Sequence, residues 1–182
     1  MAVFGNTTAG NLSYEFCQYM YSRTYTLSEK AKVTKMTARL RGGLFGNSDV
    51  TLAIYNVDAN GYPTSLVGYT ETKTITDASL TDTDFNFATP VLLGAGNYAL
   101  VIHSWNANPQ FGFGYSKTIL PNDALSWKGP LASSAVPSTF PTYPGGGALH
   151  WGLGGPGANS SEALIYATYT PLKLYPFWFF KR

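Results

Sequence analysis

The chain has 182 residues, of which 12% are charged, and its net charge is +2. This length suits one domain with a core of its own, and the low charge provides no basic field, so we predict no nucleic-acid partner. The single cysteine, Cys17, excludes an intramolecular disulfide, and we expect it to be a small buried residue.

Short segments of β-forming residues alternate with turn signals along most of the chain. The segment from Val50 to Asn56 alternates clearly, with Leu52 and Ile54 on a different face from Thr51 and Ala53. The Asn60-Gly61 pair and Pro63 predict a tight turn after it. Strands of this kind are predicted over residues 18–27, 33–40, 50–56, 66–74, 84–88, 97–105, 111–116 and 163–169.

No stretch of a dozen residues shows a helical period with a cap, so we predict an all-β protein. Short strands separated by turns indicate a jelly-roll-like antiparallel β-sandwich, with residues 1–171 as its single domain. The run from Gly94 to His103 becomes continuously apolar, as expected of a strand buried on both faces. Residues 129–161 are rich in glycine and proline and are predicted to form a long loop insertion.

The last eleven residues, 172–182, place four consecutive large aromatic residues near a chain end. Leaving four such side chains in water would forgo about 6–12 kcal/mol of burial energy, so this segment is expected to dock on a partner. It is too short, and its Pro176 too disruptive, for a membrane-spanning helix. The expected interface residues are Leu172, Leu174, Phe177, Trp178, Phe179 and Phe180.

Five motifs between residues 4 and 170 carry a resemblance to a known group of modules. They are Phe4-Gly-Asn-Thr-Thr8, the step from Tyr25-Thr-Leu-Ser28 to Val33-Thr-Lys35, Leu52-Ala-Ile-Tyr-Asn56, the passage from Phe87 to Tyr98, and Ile165-Tyr-Ala-Thr-Tyr-Thr170. In these the chain resembles jelly-roll-like β-sandwich modules of bacteriophage and virus structural proteins and the related choice-of-anchor surface domains. The resemblance implies a sandwich fold and leaves the function open, because such modules decorate capsids, tails, adhesins and glycan-binding proteins.

The candidates for catalysis are few. The two histidines are His103, in an apolar strand, and His150, in the Gly/Pro-rich loop, and both are interpreted as structural residues, so no catalytic residues are assigned. No cofactor is expected. Calcium is the most credible ion, since it binds carboxylate and amide oxygens, although turn capping explains the same residues better. The candidate ligands are Asp58, Asn60, Asp77, Asp82 and Asp84.

Three hypotheses about the function remain open at this point. The first is a non-enzymatic structural component of a virion, such as a capsid decoration or tail protein, which assembles in the host cytoplasm as a homo-oligomer or with other virion proteins. This choice depends on the low charge, the aromatic end segment and the absence of a signal peptide in the sequence as given. The alternative is an extracellular or cell-surface module that binds glycans through exposed loop aromatics, the candidates being Trp105, Trp127, Tyr143 and Trp151. Peripheral membrane attachment through the aromatic segment is a third hypothesis.

Overall fold

The structure, a computed structural model, describes residues 1–8, 12–16, 20–42, 48–104, 111–117, 135–141 and 161–172. Within these ranges the regular structure consists of β-strands. Eleven strands are present: β1 Ala2–Asn6, β2 Leu12–Phe16, β3 Met20–Leu27, β4 Ala31–Arg41, β5 Ser48–Val57, β6 Pro63–Ile75, β7 Thr81–Leu93, β8 Gly96–Ser104, β9 Phe111–Lys117, β10 Ser161–Ala163 and β11 Ile165–Pro171.

The strands form two antiparallel sheets. The small sheet has the order β3-β8-β5-β6, and the large sheet is built on β1-β11-β4-β7, extended beside β4 by β9 with its partners β2 and β10. Eight strands remain when β2, β9 and β10 are set aside, and they can be numbered 1 to 8 in chain order. The strand order is then 1-8-3-6 in the large sheet and 2-7-4-5 in the small sheet. This is the jelly-roll arrangement, so the predicted all-β, jelly-roll-like sandwich is confirmed.

The main core lies between the two sheets. Leu52 and Ile54 of β5 point inward from the small sheet, and Met36 and Phe85 of the large sheet are buried in the same cluster. Alternate residues of a strand point to opposite faces, so the inward face of β5 is the one that the sequence predicted. The run from Ala99 to Ser104 is buried throughout, which confirms the expectation of a strand buried on both faces.

Four segments differ from the sequence predictions. β7 continues to Leu93 instead of ending near Ala88, because it is the edge strand beside β4 and a register shift accommodates Pro90. The interval between the strands predicted over residues 33–40 and 50–56 is shorter than expected, since β4 includes Arg41 and β5 begins at Ser48. β1 and β2 were not predicted; β1 is only five residues long and depends on pairing with β11.

Gly5, in the first motif of the resemblance, is required by the pairing of β1 with β11. Its φ is +119°, and a Cβ placed there would lie 2.5 Å from the carbonyl oxygen of Ile165 and 2.7 Å from Cα of Tyr166. Gly61, in the turn between β5 and β6, also has a positive φ, +83°, but a Cβ there would meet nothing within 4 Å. An alanine at Gly5 would therefore meet both backbone strain and a steric clash, whereas an alanine at Gly61 would meet backbone strain alone.

We expect Gly5→Ala to destabilise the protein by about 3 kcal/mol, since a main-chain clash adds to the strain of a positive φ. The matched variant Gly61→Ala should lose only about 1–2 kcal/mol, from the φ strain alone. The free energy of unfolding in urea, followed by circular dichroism, measures both. Equal losses would contradict the close packing of β1 on β11.

Candidate functional site

A short segment, residues 135–141, lies against the edge and outer face of the small sheet; we call it the strap. Its Ser138 carbonyl accepts a hydrogen bond from the Leu66 N–H at 2.8 Å, and its Phe140 N–H donates to the Thr64 carbonyl at 2.7 Å. Between these bonds Thr139 pairs with Ser65 in an antiparallel bridge. The strap thus adds a short strand to the edge of β6.

Tyr55 holds the strap against the outer face of the small sheet. Its hydroxyl donates to the Pro137 carbonyl at 2.6 Å, and its ring meets the Phe140 ring edge-to-face, with centroids 5.3 Å apart. Both side chains are buried, and burial raises the pKa of the Tyr55 hydroxyl. A second apolar cluster therefore lies on the outer face of the small sheet. It contains Met20, Ala53, Tyr55, Ala99, Val101 and Phe140, with Val57, Leu66 and Val136 packed against it.

Sequence reasoning found the two faces of β5 but missed that its outer face is covered. Ala53 was placed on a different face from Leu52 and Ile54, which is confirmed, and both faces are fully buried. The signal for a second core was present in Tyr55 and in the continuous apolar run of β8. The residue that completes the cluster, Phe140, lies in the Gly/Pro-rich loop, where no periodicity marks it.

His103 lies on the same outer face as the second cluster. It is paired with Met20 of β3 on one side and with Thr51 of β5 on the other, and only 1% of its surface is exposed. Burial lowers the pKa of its imidazole from the ordinary 6.5 to about 4, so the ring is neutral near pH 7. This environment agrees with the interpretation of His103 as a structural residue. His150 lies outside the described residues.

The outer face of the large sheet is polar and carries two of the calcium candidates. The Asp84 carboxylate accepts hydrogen bonds from Lys35 Nζ at 2.5 Å and from Thr37 Oγ1 at 2.6 Å, and these bonds lower its pKa. Asp82 pairs with the Arg39 guanidinium at 2.8 Å. Each carboxylate thus already has a cationic partner.

The other three calcium candidates lie in turns. Asp58 Oδ1 accepts hydrogen bonds from the N–H groups of Asn60 and Tyr62, each at 2.9 Å, which is the chemistry of turn capping. Asp77 accepts a hydrogen bond from Thr81 Oγ1 at 3.4 Å in the turn between β6 and β7. In the part of the chain that the structure describes, no three His, Cys, Asp or Glu side chains come together as metal ligands would.

The C-terminal residues 172–182, which we call the tail, begin at the end of β11. The N–H of Leu172 donates to the Lys30 carbonyl at 2.9 Å, and 42% of the Leu172 surface is exposed. Nearby, Tyr169 donates its hydroxyl to Glu29 at 3.2 Å. The tail therefore starts beside the turn between β3 and β4.

The remaining candidate residues fall outside the described ranges. Among the interface candidates these are Leu174, Phe177, Trp178, Phe179 and Phe180, and among the glycan candidates they are Trp105, Trp127, Tyr143 and Trp151. Cys17 also lies outside them. In the ranges that are described, no helix is long and apolar enough to cross a membrane.

Comparison with known proteins gives little for this chain. No protein-family model matches it, and no curated protein matches it. A family two carbohydrate esterase from Cellvibrio japonicus is similar in structure over 62% of this chain, with a TM-score of 0.25 and 19% sequence identity. The matched region spans 28% of the esterase chain. At that TM-score the likeness carries no argument about function.

Truncating the strap's aromatic anchor should cost stability. We expect Phe140→Ala to lower the free energy of unfolding by about 3 kcal/mol, because it leaves a cavity over Tyr55. Thr139→Ala, at the neighbouring exposed position, should change it by less than about 0.5 kcal/mol. Urea unfolding measures both values, and limited proteolysis with mass spectrometry should show faster cleavage within residues 135–141 in the Phe140 variant only. Similar behaviour of the two variants would contradict the anchoring.

The burial of His103 predicts a specific pH dependence. Because its pKa in the folded protein is depressed, the unfolded chain takes up a proton first, so stability is lost as the pH falls from 6.5 to about 4. The loss attributable to this residue reaches roughly 3 kcal/mol at the low end. His103→Gln should flatten this part of the stability profile, whereas Thr139→Ala, which removes no titrating group, should leave its shape unchanged. Parallel profiles for all three proteins would show that His103 titrates normally.

Proposed function

We propose that this chain is a non-enzymatic structural component that associates with other copies of itself through the tail. The observation that carries the proposal is the end of β11. Leu172, directly after β11, is 42% exposed, and four consecutive aromatic residues begin five positions later in the sequence. Four aromatic side chains of this kind favour an apolar partner surface, and in this proposal another copy of the chain supplies it.

The environment of His103 and the ion pairs of the large sheet also support this proposal. His103 is packed between Met20 and Thr51 with a neutral ring, as a core residue would be. The polar outer face of the large sheet pairs its charges internally, Lys35 with Asp84 and Arg39 with Asp82. These features favour a stable building block over a catalyst. A virion, in which such a module serves as a capsid decoration or tail protein, is the assembly that we propose for it.

The test replaces Phe177, Trp178, Phe179 and Phe180 of the full chain with serine. We expect the variant to lose self-association, because the apolar surface that drives it is gone, while the far-ultraviolet circular dichroism and the melting temperature stay unchanged. Sedimentation velocity and light scattering over a concentration series measure the association.

The matched control removes the two charges at the end of the tail, with Lys181→Ser and Arg182→Ser in one chain. This variant should associate like the unmodified protein. If the aromatic variant associates with unchanged affinity, or if the unmodified protein stays monomeric throughout the series, the proposed function is wrong.

A further inference from the structure

The tail repeats the sequence pattern of the strap. The strap contains Val136-Pro137-Ser138-Thr139-Phe140, and the tail contains Tyr175-Pro176-Phe177-Trp178-Phe179. Both have an apolar residue, a proline, two variable residues and a phenylalanine. Of the 11 prolines in the chain, only Pro137 and Pro176 have phenylalanine three positions later. The pattern thus marks these two segments.

Each fixed position of this pattern has a structural role in the strap. Val136 packs against the second apolar cluster, and Phe140 is buried in it against Tyr55. Pro137 supplies only its carbonyl oxygen, to the Tyr55 hydroxyl, so the missing N–H of proline costs nothing. The variable positions Ser138 and Thr139 are exposed.

The tail offers the same groups in the same order. The Pro176 carbonyl matches that of Pro137, the Phe177 carbonyl matches that of Ser138, and the N–H and ring of Phe179 match those of Phe140. The larger side chains of Phe177 and Trp178 fall at the two exposed positions. Since strand addition relies on main-chain hydrogen bonds and on pockets for a few side chains, the tail fits the edge of β6 as the strap does.

We propose that the tail of a second copy of this chain binds at the edge of β6 in place of the strap, with Phe179 taking the position of Phe140 over Tyr55. This inference rests on the proposed function and identifies the surface that receives the tail. The strap then acts as an internal competitor. Because it is tethered to its own sheet at a high effective concentration, association requires that it be displaced.

Geometry assigns the tail to another copy rather than to its own β6 edge. The tail starts at the end of β11, and β4 lies between β11 and the edge strand β7. At that edge β7 contacts β6 of the other sheet, where Glu71 accepts a hydrogen bond from the Asn86 N–H. Three strand spacings within the sheet, combined at right angles with one spacing between the sheets, place the strap about 17 Å from β11. The four residue-to-residue steps from Leu172 to Pro176 span at most about 14 Å. The strap of the same chain is therefore out of reach.

A tail that leaves from one surface and binds at another makes a head-to-tail contact. Such contacts close into rings when the rotation between copies allows it, and they otherwise extend into filaments.

Cysteine crosslinking tests the register of this pairing. Ser65 of β6 and Thr139 of the strap form a non-hydrogen-bonded pair, which lies between the hydrogen bonds of Leu66 and Phe140. The two residues of such a pair are close enough to be joined by a disulfide. The tail position that matches Thr139 is Trp178. In a Cys17→Ser background of the full chain, Ser65→Cys with Trp178→Cys should give disulfide-linked dimers and larger species on a non-reducing gel.

The register control combines Ser65→Cys with Phe177→Cys, which should crosslink far less because that side chain points to the other face. Equal crosslinking in the two variants, no crosslinking in either, or a disulfide formed within a single chain would each overturn the proposal.

Locking the strap separates this inference from the proposed function. In the Cys17→Ser background, Ser65→Cys with Thr139→Cys should fix the strap when oxidised, and association should then be lost and be restored by dithiothreitol. The single variant Ser65→Cys controls for the substitution. If the locked protein associates normally while the aromatic-to-serine variant does not, the tail binds elsewhere and only this inference fails. If neither change affects association, the proposed function fails as well.

Discussion

Burial of the small sheet on both faces is the constraint on which the rest of the structure depends. Leu52 and Ile54 of β5 pack against the large sheet, and Ala53 and Tyr55 pack on the opposite side. A strand buried on both faces needs hydrogen-bonding partners on both edges, because no water can satisfy its main chain. β5 and β8 therefore occupy the two central positions, and the edge strand β6 carries the strap beside it.

The large sheet differs from the small sheet because its outer face is polar. There the alternation along β4 is clear: Met36 and Ala38 are buried in the core, while Lys35 and Arg39 form ion pairs with carboxylates of β7. Partly exposed pairs of this kind contribute little stability, so they specify the register of β4 against β7 more than they strengthen it. The sandwich thus combines one sheet that has a polar outer face with one that is apolar on both sides.

The sequence predicted the strands that carry their own signal and not those that depend on a distant partner. β5 was found from the alternation around Leu52, and β8 from its continuous apolar run. β1 is specified by pairing with β11, about 160 residues later, which no local pattern reports. At the candidate site, the role of Tyr55 in a second core could have been expected from the sequence. Its contact with Phe140 could not, because that contact joins a strand to a loop without periodicity.

The pairing of β1 with β11 also bears on how the protein is synthesised. β11 lies between β1 and β4, so until it has left the ribosome β1 has no partner, and β4, although paired with β7, has none on its other side over residues 31–38. At ordinary elongation rates the interval between β1 and β11 is roughly 10–30 s. During that time the inward residues Met36 and Ala38 of β4 lie beside an open sheet edge, without Ile165 and Ala167 to complete the cluster. The large sheet is therefore completed only after translation has passed Pro171.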